Sequence, residues 1–185
     1  MKFKDIKMAS EEFMYELRIP KDRIAVLIGK EGEVKKELEK ATKTKIDVDS
    51  KEGEIKITGT DALLLYSVRE VIRAIGRGFN PDVAKLMLKM DYGFELLSLA
   101  DRARNQKDLI RLKGRIIGEK GKSKRTIEDL TQTSICVYGK TAGIIGPIEN
   151  ISDARKAIEQ LLSGIPHAQV YKWLEKRRKE KKILF

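Results

Sequence analysis

The chain has 185 residues, 41% of them hydrophobic, with 39 Lys+Arg against 28 Asp+Glu and a formal net charge of +11. That apolar content argues against a disordered chain, the single Cys excludes an intrachain disulfide, and no apolar run is long enough to span a membrane. The charge is lopsided: residues 1–80 carry 17 Lys+Arg and 15 Asp+Glu, net +2, whereas residues 81–185 carry 22 and 13, net +9. An anionic partner such as nucleic acid is therefore expected, chiefly at the second half. The amino terminus lacks a signal-peptide core, and the lone Cys suits a reducing compartment, so the expected location is cytoplasmic.

Phe13, Tyr15, Leu17 and Ile19 alternate with Met14, Glu16 and Arg18, which predicts a strand ended by Pro20. Arg23 to Ile28 reads as a short helix stopped by Gly29, and Glu33 to Thr42 as a second helix striped by Val34, Leu38 and Ala41. Ile46 and Val48 lie on a strand, Gly53 makes a turn, and Ile55 and Ile57 form the hairpin partner. Asp61 caps a long helix with Leu65, Val68, Ile72 and Ile75 inward. The run from Gly76 to Pro81 is the clearest break, which predicts one domain over 1–80 and a second over 81–185. A connecting helix is expected from Asp82 to Met90, and then the order restarts. Strand Phe94–Leu99, helix Asn105–Ile117, helix Lys122–Leu130, strands Ile135–Tyr138 and Ala142–Ile145, and a helix striped by Ile151, Ala154, Ile158 and Leu161 follow in turn. After Pro166 a last helix carries Val170, Trp173 and Leu174 into the basic run Lys176 to Lys182. The fold class is α+β.

The chain states one module twice. At a constant offset of 89 residues, without a gap from Leu27/Ile116 to Val48/Val137, identical pairs include Ile28/Ile117, Gly29/Gly118, Gly32/Gly121, Glu39/Glu128, Thr42/Thr131, Thr44/Thr133, Ile46/Ile135 and Val48/Val137. The shared GxxG falls between two short helices, where glycines let the main chain approach a phosphate. The helix that starts right after it turns free N–H groups and its positive dipole end the same way. The first loop, Gly29-Lys30-Glu31-Gly32-Glu33, sets two carboxylates where phosphates would lie. The second, Gly118-Glu119-Lys120-Gly121-Lys122-Ser123-Lys124-Arg125, is cationic and has Lys113 and Arg115 upstream.

Both halves resemble KH domains of the type I order, strand-helix-helix-strand-strand-helix, the second extended by a basic carboxy-terminal helix. The resemblance implies single-stranded RNA held over the GxxG loop, about four nucleotides per module. It implies a groove floored by Ile24, Leu27, Ile28, Leu38, Ile46 and Val48 in the first copy and by Leu112, Ile116, Ile117, Ile127, Ile135 and Val137 in the second. The expected RNA-binding residues are Lys113, Arg115, Ile116, Ile117, Gly118, Glu119, Lys120, Gly121, Lys122, Ser123, Lys124, Arg125, Ile135 and Val137, with Leu27, Ile28, Gly29, Lys30, Glu31 and Gly32 as the weaker counterpart. The run Gly114 to Lys122, and Pro166 to Tyr171 followed by Arg177-Arg178, resemble the archaeal form of the ribosome-assembly family called partner of Nob. That resemblance implies binding near the 3′ end of small-subunit ribosomal RNA, with a nuclease or another assembly or translation factor as a further partner. Another KH-type RNA adaptor, a protein-binding scaffold and a nuclease are the alternative readings.

Other residues read as structural. His167 has no Cys or His at ligand spacing, Cys136 lies in an apolar strand, and Tyr171 and Trp173 fit helical packing. Lys176–Lys182 reads as a solvated helix end, with RNA contact as the second reading. Asp47 and Asp49 are replaced in the second copy by Cys136 and Tyr138, so no catalytic pair is duplicated, and Glu39/Glu128 is the one acidic identity. Neither a metal site nor a cofactor is expected, nor an enzyme.

Overall fold

β1 (Phe13–Arg18), β2 (Lys45–Asp49) and β3 (Glu54–Gly59) form an antiparallel sheet in the order β1-β3-β2. A computed structural model describes residues 12–184, with side chains to 181. The amino-terminal stretch without a signal-peptide core, and the Lys182 side chain, lie outside the described residues. Tyr15 and Ile46 both stand opposite Ile57, and Leu17 and Val48 both stand opposite Ile55. This register puts Ile46, Ile55 and Ile57 inside while Lys56 and Glu54 stay exposed, as a period of two requires. Helices α1 (Lys21–Ile28) and α2 (Glu33–Thr42) bury Ile24, Leu27 and Leu38. Helix α3 (Ala62–Gly76) buries Leu65, Val68, Ile72 and Ile75 completely, the predicted stripe, and Asp61 Oδ1 accepts from the N–H groups of Leu63 and Leu64 at its start.

The second half repeats the plan. β4 (Tyr92–Ser98), β5 (Ser134–Tyr138) and β6 (Thr141–Pro147) pair antiparallel in the order β4-β6-β5. The connecting segment is shorter than its sequence suggests: α4 (Pro81–Ala84) gives way to a 3-10 turn at Lys85–Leu88. The strand claims the residues that follow, because Tyr92 and Gly93 pair with Pro147 and Gly146. Helices α5 (Gln106–Ile117), α6 (Lys122–Thr131), α7 (Ile148–Leu162) and α8 (His167–Leu184) surround a core of Leu97, Leu109, Leu112, Ile116, Ile127, Ile135, Ile144, Ile158 and Leu161. Val170 and Leu174 on α8 are also buried in it, with Tyr171 and Trp173 packed at its margin.

The described residues divide into two compact units, the first ending at Arg69 and the second beginning at Glu70. This division lies inside α3, ahead of the break at residues 76–81 that the sequence marks. In the second unit Phe79 meets Phe94 edge to face with centroids 5.9 Å apart, and the Arg73 guanidinium lies 5.6 Å from the centroid of the Phe94 ring. Residues between Glu70 and Asn80 therefore make contacts with the second sheet that composition alone does not reveal.

Candidate nucleic-acid interface

The two GxxG loops share one backbone. Gly29 has φ 74 and ψ 177, and Gly118 has φ 71 and ψ 176, a conformation that only glycine takes readily. A Cβ on Gly118 would stand 2.6 Å from Ser123 Cβ and 2.7 Å from Ser123 N, and one on Gly29 would meet Val34 in the same way. Each loop also holds a non-glycine residue at positive φ, Glu31 at 54° and Lys120 at 50°. A cation fastens that residue from behind: Lys36 Nζ donates to the Glu31 carbonyl at 3.1 Å, and the Arg125 guanidinium donates to the Lys120 carbonyl.

The other identities hold up the same scaffold. Glu39 Oε1 accepts from the N–H of Ile46 at 2.8 Å, and Glu128 Oε1 from that of Ile135 at 2.7 Å. Thr42 donates to the Leu38 carbonyl and Thr131 to that of Ile127, each at 2.7 Å. With those hydroxyl protons engaged, Thr44 and Thr133 are the donors in the buried Thr42–Thr44 and Thr131–Thr133 pairs. Repeated Glu and Thr thus bind the end of one helix to the next strand. The paired acid is a structural acceptor in both copies.

The loops differ in charge. α6 starts at Lys122 with no side chain capping its N–H groups and no acid in its first turn, whereas α2 has Glu33 there. The second loop therefore offers uncapped amides, the dipole end and the exposed cations Lys120 and Lys122 to an anion. Lys113 is half-buried on α5 upstream. In the first loop Lys30 stands beside Glu31 and Glu33, which repel phosphate.

Several expected contacts are placed elsewhere. Leu27, Ile116 and Ile135 are 0%, 0% and 2% exposed and belong to the cores, as do Ile24, Leu38, Ile46, Leu112 and Ile127. Helix and strand periodicity turns these residues inward, so they belong to the cores and not to the surface beside the loops. Ile117, 37% exposed, and half-buried Val137 remain accessible in the second unit, as do Ile28 and Val48 in the first. Ser123 is buried beneath Gly118, and its Oγ has no hydrogen-bond partner. Arg115 points inward: its Nε donates to the Leu161 carbonyl at 2.7 Å and its Nη2 to the Ile165 carbonyl at 2.8 Å. Lys124 pairs with Glu128 at 3.4 Å, and Arg125 is committed in part to the Lys120 carbonyl. Six cations near the loop in sequence thus reduce to Lys113, Lys120 and Lys122, together with the free part of Arg125, as those not committed to an internal partner among the described residues.

The remaining residues singled out in the sequence have internal partners. His167 Nε2 lies 2.8 Å from the Arg115 carbonyl, Trp173 lies under Lys156 with its ring centroid 5.4 Å from Nζ, and Asp47 pairs with Lys45. On α8, Arg177 and Lys181 both reach the buried Asp153, at 3.3 and 2.8 Å. Among the described residues no group of His, Cys, Asp and Glu side chains could hold a metal ion, and no helix is long and apolar enough to cross a membrane.

Two strand-helix-helix-strand-strand-helix units with a GxxG between the first two helices define a tandem KH-domain protein of the type I order. Residues 14–65 match the KH domain family, and residues 93–179 match the eukaryotic type KH-domain, type I. A KH domain-containing protein of Methanocaldococcus jannaschii is 45% identical over 168 residues, 89% of this chain and 74% of that protein. The RNA-binding protein PNO1 of Oryzias latipes is 36% identical over 60% of this chain, which spans 46% of that protein's length. The crystal structure of Dim2p from Pyrococcus horikoshii superposes with a TM-score of 0.83 at 46% identity, covering 89% of this chain and 99% of that one. An a/eIF2alpha–aDim2p–rRNA complex from the same organism gives 0.86 at 46% identity, covering 91% and 96%. The chain belongs to the PNO1/Dim2 family of KH-domain proteins.

Proposed function

We propose that this protein binds single-stranded RNA through the second GxxG loop and serves as a small-subunit ribosome-assembly factor near the 3′ end of the small-subunit ribosomal RNA. The observation that carries this reading is the uncapped start of α6 behind Gly118 and Gly121, with Lys120 and Lys122 beside it and no carboxylate in the first turn. The rRNA complex of the Pyrococcus relative and the pre-rRNA-processing name of a fungal relative support the choice of RNA. Ile117 and Val137 floor the base groove, and the first loop serves as the weaker site. The protein holds the strand, in the cytoplasm, for a nuclease or another assembly or translation factor, and it does no chemistry itself. The one acid shared by both copies is occupied at a strand amide, which supports that assignment.

The test is an RNA titration of folded protein. Glu119→Asp with Lys120→Asp sets two carboxylates at the phosphate position. Like charges about 4 Å apart repel by roughly 4 kcal/mol at an effective dielectric near 20, less where water screens them. Binding should fall sharply, and Lys30→Asp with Glu31→Asp should do much less. Equal losses from both pairs would overturn the ranking of the loops.

A further inference from the structure

The second unit contains a segment that the first lacks. Ile19 N donates to the Gly53 carbonyl and Leu99 N to the Lys140 carbonyl, which marks Ile19 and Leu99 as the same position in the two plans. Gly29 follows Ile19 by ten positions and Gly118 follows Leu99 by nineteen, so the second unit carries nine extra residues between its first strand and its loop. They form a 3-10 turn at Ala100–Arg102 and an additional first turn on α5.

The insert is rigidly built. Ala103 and Leu109 pack on the core, and Ala103 N donates to the Leu99 carbonyl. Asn105 Oδ1 caps α5 by accepting from Asp108 N at 2.9 Å, while Asp108 accepts from Arg104 N at 3.2 Å and from Arg111 Nε at 2.8 Å. The Arg104 amide, and then the Arg111 side chain, hold the Asp108 carboxyl below its ordinary pKa. On this frame Arg102, Arg104, Lys107 and Arg111 line an open cleft of ≈ 680 Å³ with Asn105 and Asp108. Arg102 leans toward Glu159 at 3.7 Å and Arg111 is held by Asp108, but Arg104 and Lys107 have no ion pair among the described residues.

A helical face leads from this cleft to the loop. Lys107, Arg111 and Gly114 follow one another at spacings of four and three, so they share one side of α5, which ends at Gly118. Gly114 is exposed, and a Cβ there would meet nothing within 4 Å. A glycine inside a helix is destabilising relative to alanine, and no packing explains this one. It leaves bare backbone between two cationic regions, room in which a strand can lie close to the helix.

We propose that the insert forms a second phosphate-binding shelf, which carries the same RNA strand beyond the GxxG loop along α5. The proposal rests on the RNA reading above. Guanidinium and ammonium groups without an aromatic among them recognise phosphate rather than base, so the shelf adds affinity without sequence preference. Lys107 lies about 16 Å along the helix from Gly118. At a rise of about 3.4 Å per stacked nucleotide, or up to twice that when extended, this corresponds to roughly two to five nucleotides.

The experiment compares the full chain with the double variant Arg104→Gln, Lys107→Gln on two sets of labelled RNAs. One set is about five nucleotides long and fills only the loop site. The other is extended by about five nucleotides on either the 5′ or the 3′ side. Both substitutions are at exposed positions, and an unchanged unfolding midpoint verifies the fold. The expected result is unchanged affinity for the short RNA and about tenfold weaker binding of one extended RNA, with its log–log salt slope reduced by about 1.4. Unchanged affinity and slope on both extended RNAs, or equal losses on short and long, would overturn the shelf while leaving the loop site intact. Failure of the unmodified protein to bind any of these RNAs would overturn the RNA reading and the shelf with it.

Discussion

At the scale of single residues, the loop depends on what glycine permits. Gly118→Ala puts a Cβ within 2.7 Å of a backbone nitrogen at a glycine-only conformation. It should destabilise the second unit by about 2 kcal/mol or more, read from the urea midpoint. Below it lies a defect of the opposite sign. Ser123 occupies the position that Val34 fills in the first copy, with its hydroxyl buried and unpartnered. Ser123→Val should therefore stabilise by about 1 kcal/mol and leave RNA affinity unchanged, because the side chain does not reach the surface. The acid beneath the next strand has a measurable role too. Glu128→Ala removes the acceptor of the Ile135 amide and should cost about 1–2 kcal/mol, with Glu39→Ala similar in the first unit. A much smaller loss in thermal or chemical unfolding would show that the bond is replaced by water.

At the scale of elements, α8 is part of the second core, and the Arg115 side chain ties α5 to the end of α7 and to the turn before α8. Arg115→Ala removes the side-chain donor to the Leu161 and Ile165 carbonyls, of which Leu161 keeps the Gly164 amide. It should lower stability by about 2–3 kcal/mol while RNA titrated against the folded fraction binds as before. A loss of affinity without a loss of stability would make Arg115 a phosphate contact after all. This residue shows where sequence reading stops. The helices themselves were legible, since Leu65, Val68, Ile72 and Ile75 on α3 and Leu112, Ile116 on α5 repeat at the helical period. The start of α5 was placed at Asn105 in the sequence, and the structure shows that residue capping the helix. Whether an arginine next to a glycine loop turns outward or back toward a carbonyl 46 residues later is decided by tertiary packing, which leaves no local signature. The same holds for the groove: apolar residues around a GxxG are recognisable, but burial separates Ile117 from Ile116 only in three dimensions. The nine-residue insert was visible as a longer helix, yet its cleft of cations was not.

At the scale of the molecule, the net charge of +11 overstates what the loop presents. Lys113, Lys120 and Lys122 are its cations free of ion pairs among the described residues, so RNA filling only that site should show a salt slope of about −2, near −0.7 per contact. A slope steeper than about −4 on such a short RNA would mean that further cations engage it. Single strands should also win over a duplex of the same sequence in competition at moderate salt, because a GxxG groove accepts unstacked bases. A preference for duplex would remove the groove mechanism. Labelled 3′-end RNA should stay intact after incubation with the purified protein, with or without magnesium or manganese. Cleavage abolished by a substitution within this chain would restore an enzymatic reading.

The fastening of the loop from behind makes the two units sockets of one gauge. Lys36 and Arg125 set the same backbone bend through the same carbonyl, whatever the neighbouring side chains are. Loop shape and loop charge are thus separately adjustable, and a lineage can silence or awaken one module without refolding it. Glu31→Lys with Glu33→Lys should accordingly convert the first unit from a poor ligand for phosphate into a second gripping point, doubling the valence of the chain for a long RNA.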